Sequence, residues 1–163
     1  MDKNLIKNTK IAEFAKSKST KNTSKHTTKQ KGKLGEDRAC AWLESNGFKI
    51  LERNFFTRFG EIDIIALEVL DFKNDCKKDI VLHFIEVKNY ARACPAYAIS
   101  PKKLDKIYKS IDIYFLEQNA QDNQKKQPNT ESINAINALP YCVSAILIQG
   151  EKISFLANIS QNF

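Results

Sequence analysis

Residues 80–90, "IVLHFIEVKNY", decide how the rest of the chain is read. Apolar side chains on both faces predict a strand in the middle of a sheet rather than at its edge. Alternation along a strand puts Ile80, Leu82 and Phe84 on one side and carries Glu86 and Lys88 onto that same side. An acid and a base therefore stand where an apolar stripe should continue.

The same test applied outward from this strand finds two more such acids. In "GEIDIIAL" (60–67), Glu61, Asp63 and Ile65 share one face, while Ile62, Ile64 and Ala66 share the other. In "GKLGEDRACAWLESNGFKI" (32–50) a helix is expected from about Leu34 to Asn46, stopped by Gly47. At 100° per residue, Glu36 falls within the arc of Ala39, Cys40 and Leu43, whereas Asp37 and Glu44 lie elsewhere. Three separate elements thus each place a carboxylate in an apolar stripe.

The remaining elements complete an architecture. "FKILERNFF" (48–56) reads as a strand joined to the next by the hairpin turn "TRFG" (57–60). "EVLDFKNDCKKD" (68–79) reads as a polar connection and "ACPAYAI" (93–99) as a loop. Ser100 and Pro101 suit the cap and first turn of a helix running to about Gln118. Leu104, Ile107, Tyr108, Ile111 and Phe115 form its apolar stripe, and Lys102, Lys106 and Lys109 share another face. Residues 119–138, rich in Asn, Gln, Lys and Ser, are expected to be a mobile insertion. "YCVSAILI" (141–148) and "KISFLA" (152–157) close the chain as a strand pair. The order is helix, three strands, helix, two strands, which predicts an α/β sandwich with a mixed sheet.

A chain of 163 residues suits one such domain, assigned to 32–163, after a tail at 1–31 expected to be disordered. The net charge of +7 resides in the tail. Residues 1–33 hold ten Lys against Asp2 and Glu13, while the rest carries 16 basic and 17 acidic side chains. The tail can add salt-sensitive affinity for a polyanion without specifying one. Cys40, Cys76, Cys94 and Cys142 form no C-x-x-C pair, so reduced thiols are expected rather than a zinc knuckle or redox motif. No run approaches the roughly 18 apolar residues that span a bilayer, and no apolar secretory core opens the chain. A cytoplasmic protein without membrane contact is expected.

An unpartnered buried carboxylate costs several kcal/mol, so each acid needs a counter-ion. A divalent metal is one solution, because Mg²⁺ takes one or two carboxylates plus waters. Asp63 and Glu86 would supply them, with the carbonyl of Val87 as a third oxygen and Glu36 holding a metal-bound water or second ion. Lys88 would orient or deprotonate a water and offset charge on a phosphorane-like transition state. This set suits phosphodiester hydrolysis. Ordinary ion pairs remain the competing reading: Asp63 with Lys88, or Glu86 with Arg58 or Arg92. By parity His83 points away from Glu86, as a packed core histidine. With His26 the only other histidine, His-based triads are excluded. Trp42 reads as packing.

The combination G-x-x-G-E opening a helix, then R-N, G-E-I-D and E-V-K resembles the YraN-like family of the restriction-endonuclease-like PD-(D/E)XK superfamily. The likeness spans about residues 32–116. It implies a restriction-endonuclease-like α/β sandwich, a central mixed sheet flanked by helices, with a nuclease-type site. Glu36 maps to the helix acid, Asp63 to the motif aspartate, and Glu86 and Lys88 to the E-x-K pair. Ile62 stands where the superfamily has Pro, and Tyr90 where relatives commonly have Arg, with Arg92 as a substitute. The resemblance implies a Mg²⁺- or Mn²⁺-dependent nuclease acting on DNA rather than RNA, including branched or single-stranded forms. Lys102, Lys106, Arg58 and Arg92 would contact phosphates, and a homodimer would suit a two-strand cut. The alternatives are a non-catalytic nucleic-acid-binding accessory protein that keeps the fold, and a protein-interaction module.

Overall fold

The computed structural model describes residues 11–12, 27–71, 78–90, 99–124 and 136–159. Its first helix, α1 (Thr28–Ser45), starts where a capping box forms. Thr27 Oγ1 accepts the Gln30 N–H at 3.3 Å, and Gln30 Oε1 accepts the Thr27 N–H at 2.8 Å. The helix therefore begins six residues before Leu34 and takes in the end of the expected tail. Residues 1–10 and 13–26 of that tail lie outside the described residues. The second helix, α2 (Pro101–Gln124), begins as the sequence predicts. Ser100 Oγ accepts the Lys103 N–H at 3.2 Å, and the Ser100 carbonyl accepts those of Lys103 and Leu104. It runs to Gln124 rather than Gln118, and a 3₁₀ turn at Ile136–Ala138 follows, with Asn137 bonded to Asn119. The expected insertion at 119–138 thus begins with the last turns of α2 and ends with this turn, while 125–135 lies outside the described residues.

Among the described residues six strands pair in the order β1-β6-β5-β4-β3-β2, comprising β1 (Ile11–Ala12), β2 (Phe48–Thr57), β3 (Gly60–Asp71), β4 (Lys78–Tyr90), β5 (Tyr141–Gln149) and β6 (Lys152–Leu156). Among the described residues only β4 and β5 run parallel, from Leu82↔Tyr141 to Tyr90↔Gln149, so the sheet is mixed. β1 was not foreseen. It adds an edge to β6 through Ile11↔Ser154 and Ala12↔Ile153. β3 continues to Asp71, four residues past the predicted Leu67, and thereby shortens the expected connection. The β2–β3 turn is held by Thr57 Oγ1, which accepts the N–H groups of Phe59 and Gly60.

Helices cover both faces. On the α2 side lie Ile65, Leu82, Phe84, Val143 and Ala145 with Leu104, Ile107, Ile111 and Tyr114. On the α1 side lie Ile64, Ala66, Ile85, Ile146, Ile148 and Phe155 with Ala39, Trp42 and Leu43. This is the expected α/β sandwich of restriction-endonuclease-like type. The strand quoted at the outset sits centrally between β3 and β5, with Leu82, Phe84 and Ile85 fully buried. One alternation fails: Ile62 packs on the α2 side although parity assigns it with Ile64 and Ala66. The failure coincides with the point where β3 leaves β4, since their ladder stops at Ile64↔Ile85.

His83 is buried on the α1 side, as parity predicts. Its Nδ1 lies 2.9 Å from Ser144 Oγ and 3.3 Å from Cys142 Sγ. Its Nε2 lies 3.2 Å from Glu68 Oε2. Cys40 and Cys142 are free and buried. Cys76 and Cys94 lie outside the described residues.

Candidate functional site

The parting of β3 and β4 creates the site. Continued by one pair, their ladder would set Asp63 against Glu86. Instead the Val87 N–H donates to Asp63 Oδ2 at 2.6 Å, so a carboxylate takes the place of a backbone carbonyl. The Val87 N–H thereby ties Asp63 to β4 at the residue next to Glu86. Glu86 is almost fully buried, its side chain 3% exposed. Lys88 Nζ lies 2.6 Å from its Oε1, which confirms that the two side chains share a face.

The second oxygen of Glu86 has a partner that the sequence reading did not supply. Lys103, in the first turn of α2, brings its Nζ to 2.8 Å from Oε2 and 3.2 Å from the Glu61 carbonyl. The contact with Oε2 is ionic rather than a hydrogen bond, because that oxygen has no partner in bonding geometry. Arg58 is not the counter-ion of Glu86, Arg92 lies outside the described residues, and Lys88 pairs with Glu86 rather than Asp63. The E-x-K spacing and α2 together provide the compensation that a buried carboxylate requires.

Asp63 is held in a different electrostatic state. Burial is the largest influence on its carboxyl, and the charge of Glu86 is the next. Together they push it up to about 7 against the opposing pull of the Val87 amide, Lys103 and Lys88. Glu61 is also raised, by burial first and then by Glu36, while Lys103 opposes. Glu36, on α1, is thus close enough to Glu61 for their charges to oppose each other. Its position depends on Gly35: a Cβ there would meet Asn89 Nδ2 at 3.1 Å and Asn89 Cβ at 3.2 Å. Without a side chain, α1 can approach the end of β4 closely, and Asn89 Nδ2 donates to the Lys31 carbonyl at 3.2 Å. Arg53 lies 4.0 Å from Glu36 Oε2 but pairs more tightly with Asp37, at 2.6 Å.

The predicted basic residues stand farther out. Arg58 is exposed at the hairpin tip, its guanidinium 4.8 Å from the Phe59 ring centroid. Lys102 and Lys106 are exposed on α2, and the Lys106 side chain runs past Gly60 in that hairpin. Lys109 pairs with Asp105 at 2.8 Å. Arg92 lies outside the described residues.

Among the described residues no three His, Cys, Asp or Glu side chains converge as metal ligands, so nothing resembles a structural zinc centre. The donor set fits a hard cation that uses few protein ligands: two carboxylates, one adjacent carbonyl and water. The buried Oε2 without a hydrogen bond is the acceptor such an ion would use. No helix among the described residues is long and apolar enough to cross a membrane.

The family model described as "Uncharacterised protein family UPF0102" matches residues 35–137, a span that contains Glu36, Asp63, Glu86, Lys88 and Lys103. A UPF0102 protein of Helicobacter pylori strain Shi470 is 40% identical over 130 residues, covering 80% of this chain and 90% of that protein. A UPF0102 protein of Helicobacter hepaticus is 38% identical over 133 residues, covering 82% and 96%. The Wolinella succinogenes UPF0102 protein WS0451 is 37% identical over 133 residues, covering 82% and 98%.

Proposed function

Since the chain belongs to the UPF0102 family, we propose that it works as a metal-dependent nuclease of the PD-(D/E)XK superfamily, hydrolysing phosphodiester bonds in DNA. The observation that carries this reading is the meeting of Asp63 and Glu86 where β3 and β4 part, with Lys88 on Glu86. A carboxylate pair of this kind costs stability in a protein that has no use for it.

In this reading Asp63, Glu86 and the Val87 carbonyl bind Mg²⁺ or Mn²⁺. The bound cation supplies Lewis-acid polarisation of the scissile phosphate and a more acidic water. Lys88 keeps its ammonium beside Glu86, where it orients the attacking water and offsets negative charge that grows on the phosphoryl oxygens. Glu36, at the α1 rim, accepts a hydrogen bond from water at the same centre. Arg58, Lys102 and Lys106 contact backbone phosphates outside the cleft. Branched or single-stranded DNA in the cytoplasm, cut by a homodimer, belongs to the same proposal.

Cleavage of a panel of duplex, branched and single-stranded DNA with Mg²⁺ or Mn²⁺ tests it. Wild type should cut, and Glu86→Ala and Lys88→Ala should lose at least about a hundredfold in rate. Equal cutting by all three proteins would refute the assignment. Tyr90, standing where YraN-like relatives commonly carry Arg, favours a second reading: a nucleic-acid-binding accessory protein without catalysis. That reading gains if wild type binds DNA but cuts none of the panel.

A further inference from the structure

Glu86 has two ammonium partners where the E-x-K spacing supplies one. Lys88 reaches Oε1 from the same strand, and Lys103 reaches Oε2 from the first turn of α2. Both oxygens are therefore capped by cations of the chain itself. Yet the two contacts differ. Lys88 makes a hydrogen bond of 2.6 Å, whereas Lys103 makes an ionic contact and divides its ammonium between Oε2 and the Glu61 carbonyl.

We propose that Lys103 is a tethered counter-ion that occupies the cation's place on Glu86 Oε2 and is displaced when a divalent ion binds. The proposal rests on the metal-dependent reading above. A side chain 3% exposed cannot be left charged without compensation, so the protein needs a positive group at Oε2 whenever no metal is bound. Lys103 meets that need reversibly, because its side chain remains 29% exposed and has solvent to move into. Its second partner, a backbone carbonyl on β3, keeps the displaced ammonium beside the site. Metal then binds against an intramolecular competitor, and the affinity is lower than two carboxylates alone would give. Lys103 is a positioning residue in this scheme.

Calorimetric titration of the full chain with Mn²⁺ alone separates the possibilities. Lys103→Met should bind Mn²⁺ about tenfold more tightly than wild type, a typical size for coupled binding events. Lys152→Met, which removes the same charge from an exposed position on β6, should match wild type. Glu86→Gln should lose binding. If Glu86→Gln loses binding while Lys103→Met binds no more tightly than wild type, the counter-ion proposal is overturned and the metal site stands. If Glu86→Gln binds as wild type does, or if no protein binds, the metal reading itself is overturned and the proposal goes with it. Should Lys103→Met fail to fold by circular dichroism, Lys103→Gln is titrated against the same criteria.

Discussion

Replacing Asp63 with Asn should make the metal-free protein more stable, and the gain should grow with pH. The Asp63 carboxyl titrates near 7 in the folded protein against an ordinary value of 3.8, through burial first and repulsion from Glu86 second. Below about pH 4 both the folded and unfolded chains hold the proton, and no penalty exists. Between about 4 and 7 the unfolded chain releases it while the folded chain retains it, so stability falls as pH rises. Above 7 the penalty is complete. About three units at about 1.4 kcal/mol each set a ceiling of about 4 kcal/mol. Partial solvent contact at Asp63 reduces the expectation to about 2 kcal/mol. Asn retains an oxygen to accept the Val87 N–H, so the β3–β4 junction survives the change. Urea unfolding of both proteins in chelator at several pH values from 5 to 8 measures the difference. The variant should be ahead by about 0.7 kcal/mol at pH 5 and by about 2 kcal/mol at pH 8. A variant less stable at pH 8, or a gain that is flat across the range, would refute the reasoning that this acid is held against its preference.

His83 gives a pH signature of the same sign in a higher window. Burial opposes its charge, but its contacts with Cys142 and Glu68 outweigh burial and raise it to about 9. Its contribution is therefore whole below about pH 6.5 and lost as pH rises through 9, so His83→Phe should flatten the stability profile over that window by about 1–2 kcal/mol in chemical unfolding. Gly35→Ala places a Cβ 3.1–3.2 Å from Asn89. It should cost about 1–2 kcal/mol in urea and lower any Mn²⁺ affinity by shifting Glu36, whereas the exposed Gly32, which has nothing within 4 Å, should tolerate Ala.

The alternation test found Asp63, Glu86 and Lys88 because each lies on a strand whose other positions are apolar, so a charged residue there is conspicuous. Lys103 meets the same criterion on α2, since Ile107, Ser110 and Tyr114 lie along its face and all are buried. It was missed because the lysines of that helix were grouped by their common outer face, and Lys103 is the one that does not belong to it. No local signal reveals that it meets Glu86, because that contact depends on how α2 docks. The start of α1 was legible in the Thr27–Gln30 capping box, but the Lys-rich composition of the flanking tail obscured it. β1 was not legible: two residues carry no periodicity, and its existence depends on the free edge of β6. Ile62 defied parity because alternation presumes a continuous ladder, and the ladder ends beside it.

The parallel pairing of β4 with β5 has a kinetic consequence. β2, β3 and β4 follow one another as an antiparallel meander whose contacts are short in sequence, whereas β4 meets β5 only by joining Leu82 to Tyr141. Pairings of such sequence separation form slowly, because the intervening chain must be closed first. If the local meander forms first, the two acids share it before α2 docks. During that interval their mutual repulsion lacks the ammonium from α2, so the late-arriving half of the fold completes the electrostatic neutralisation of the early half.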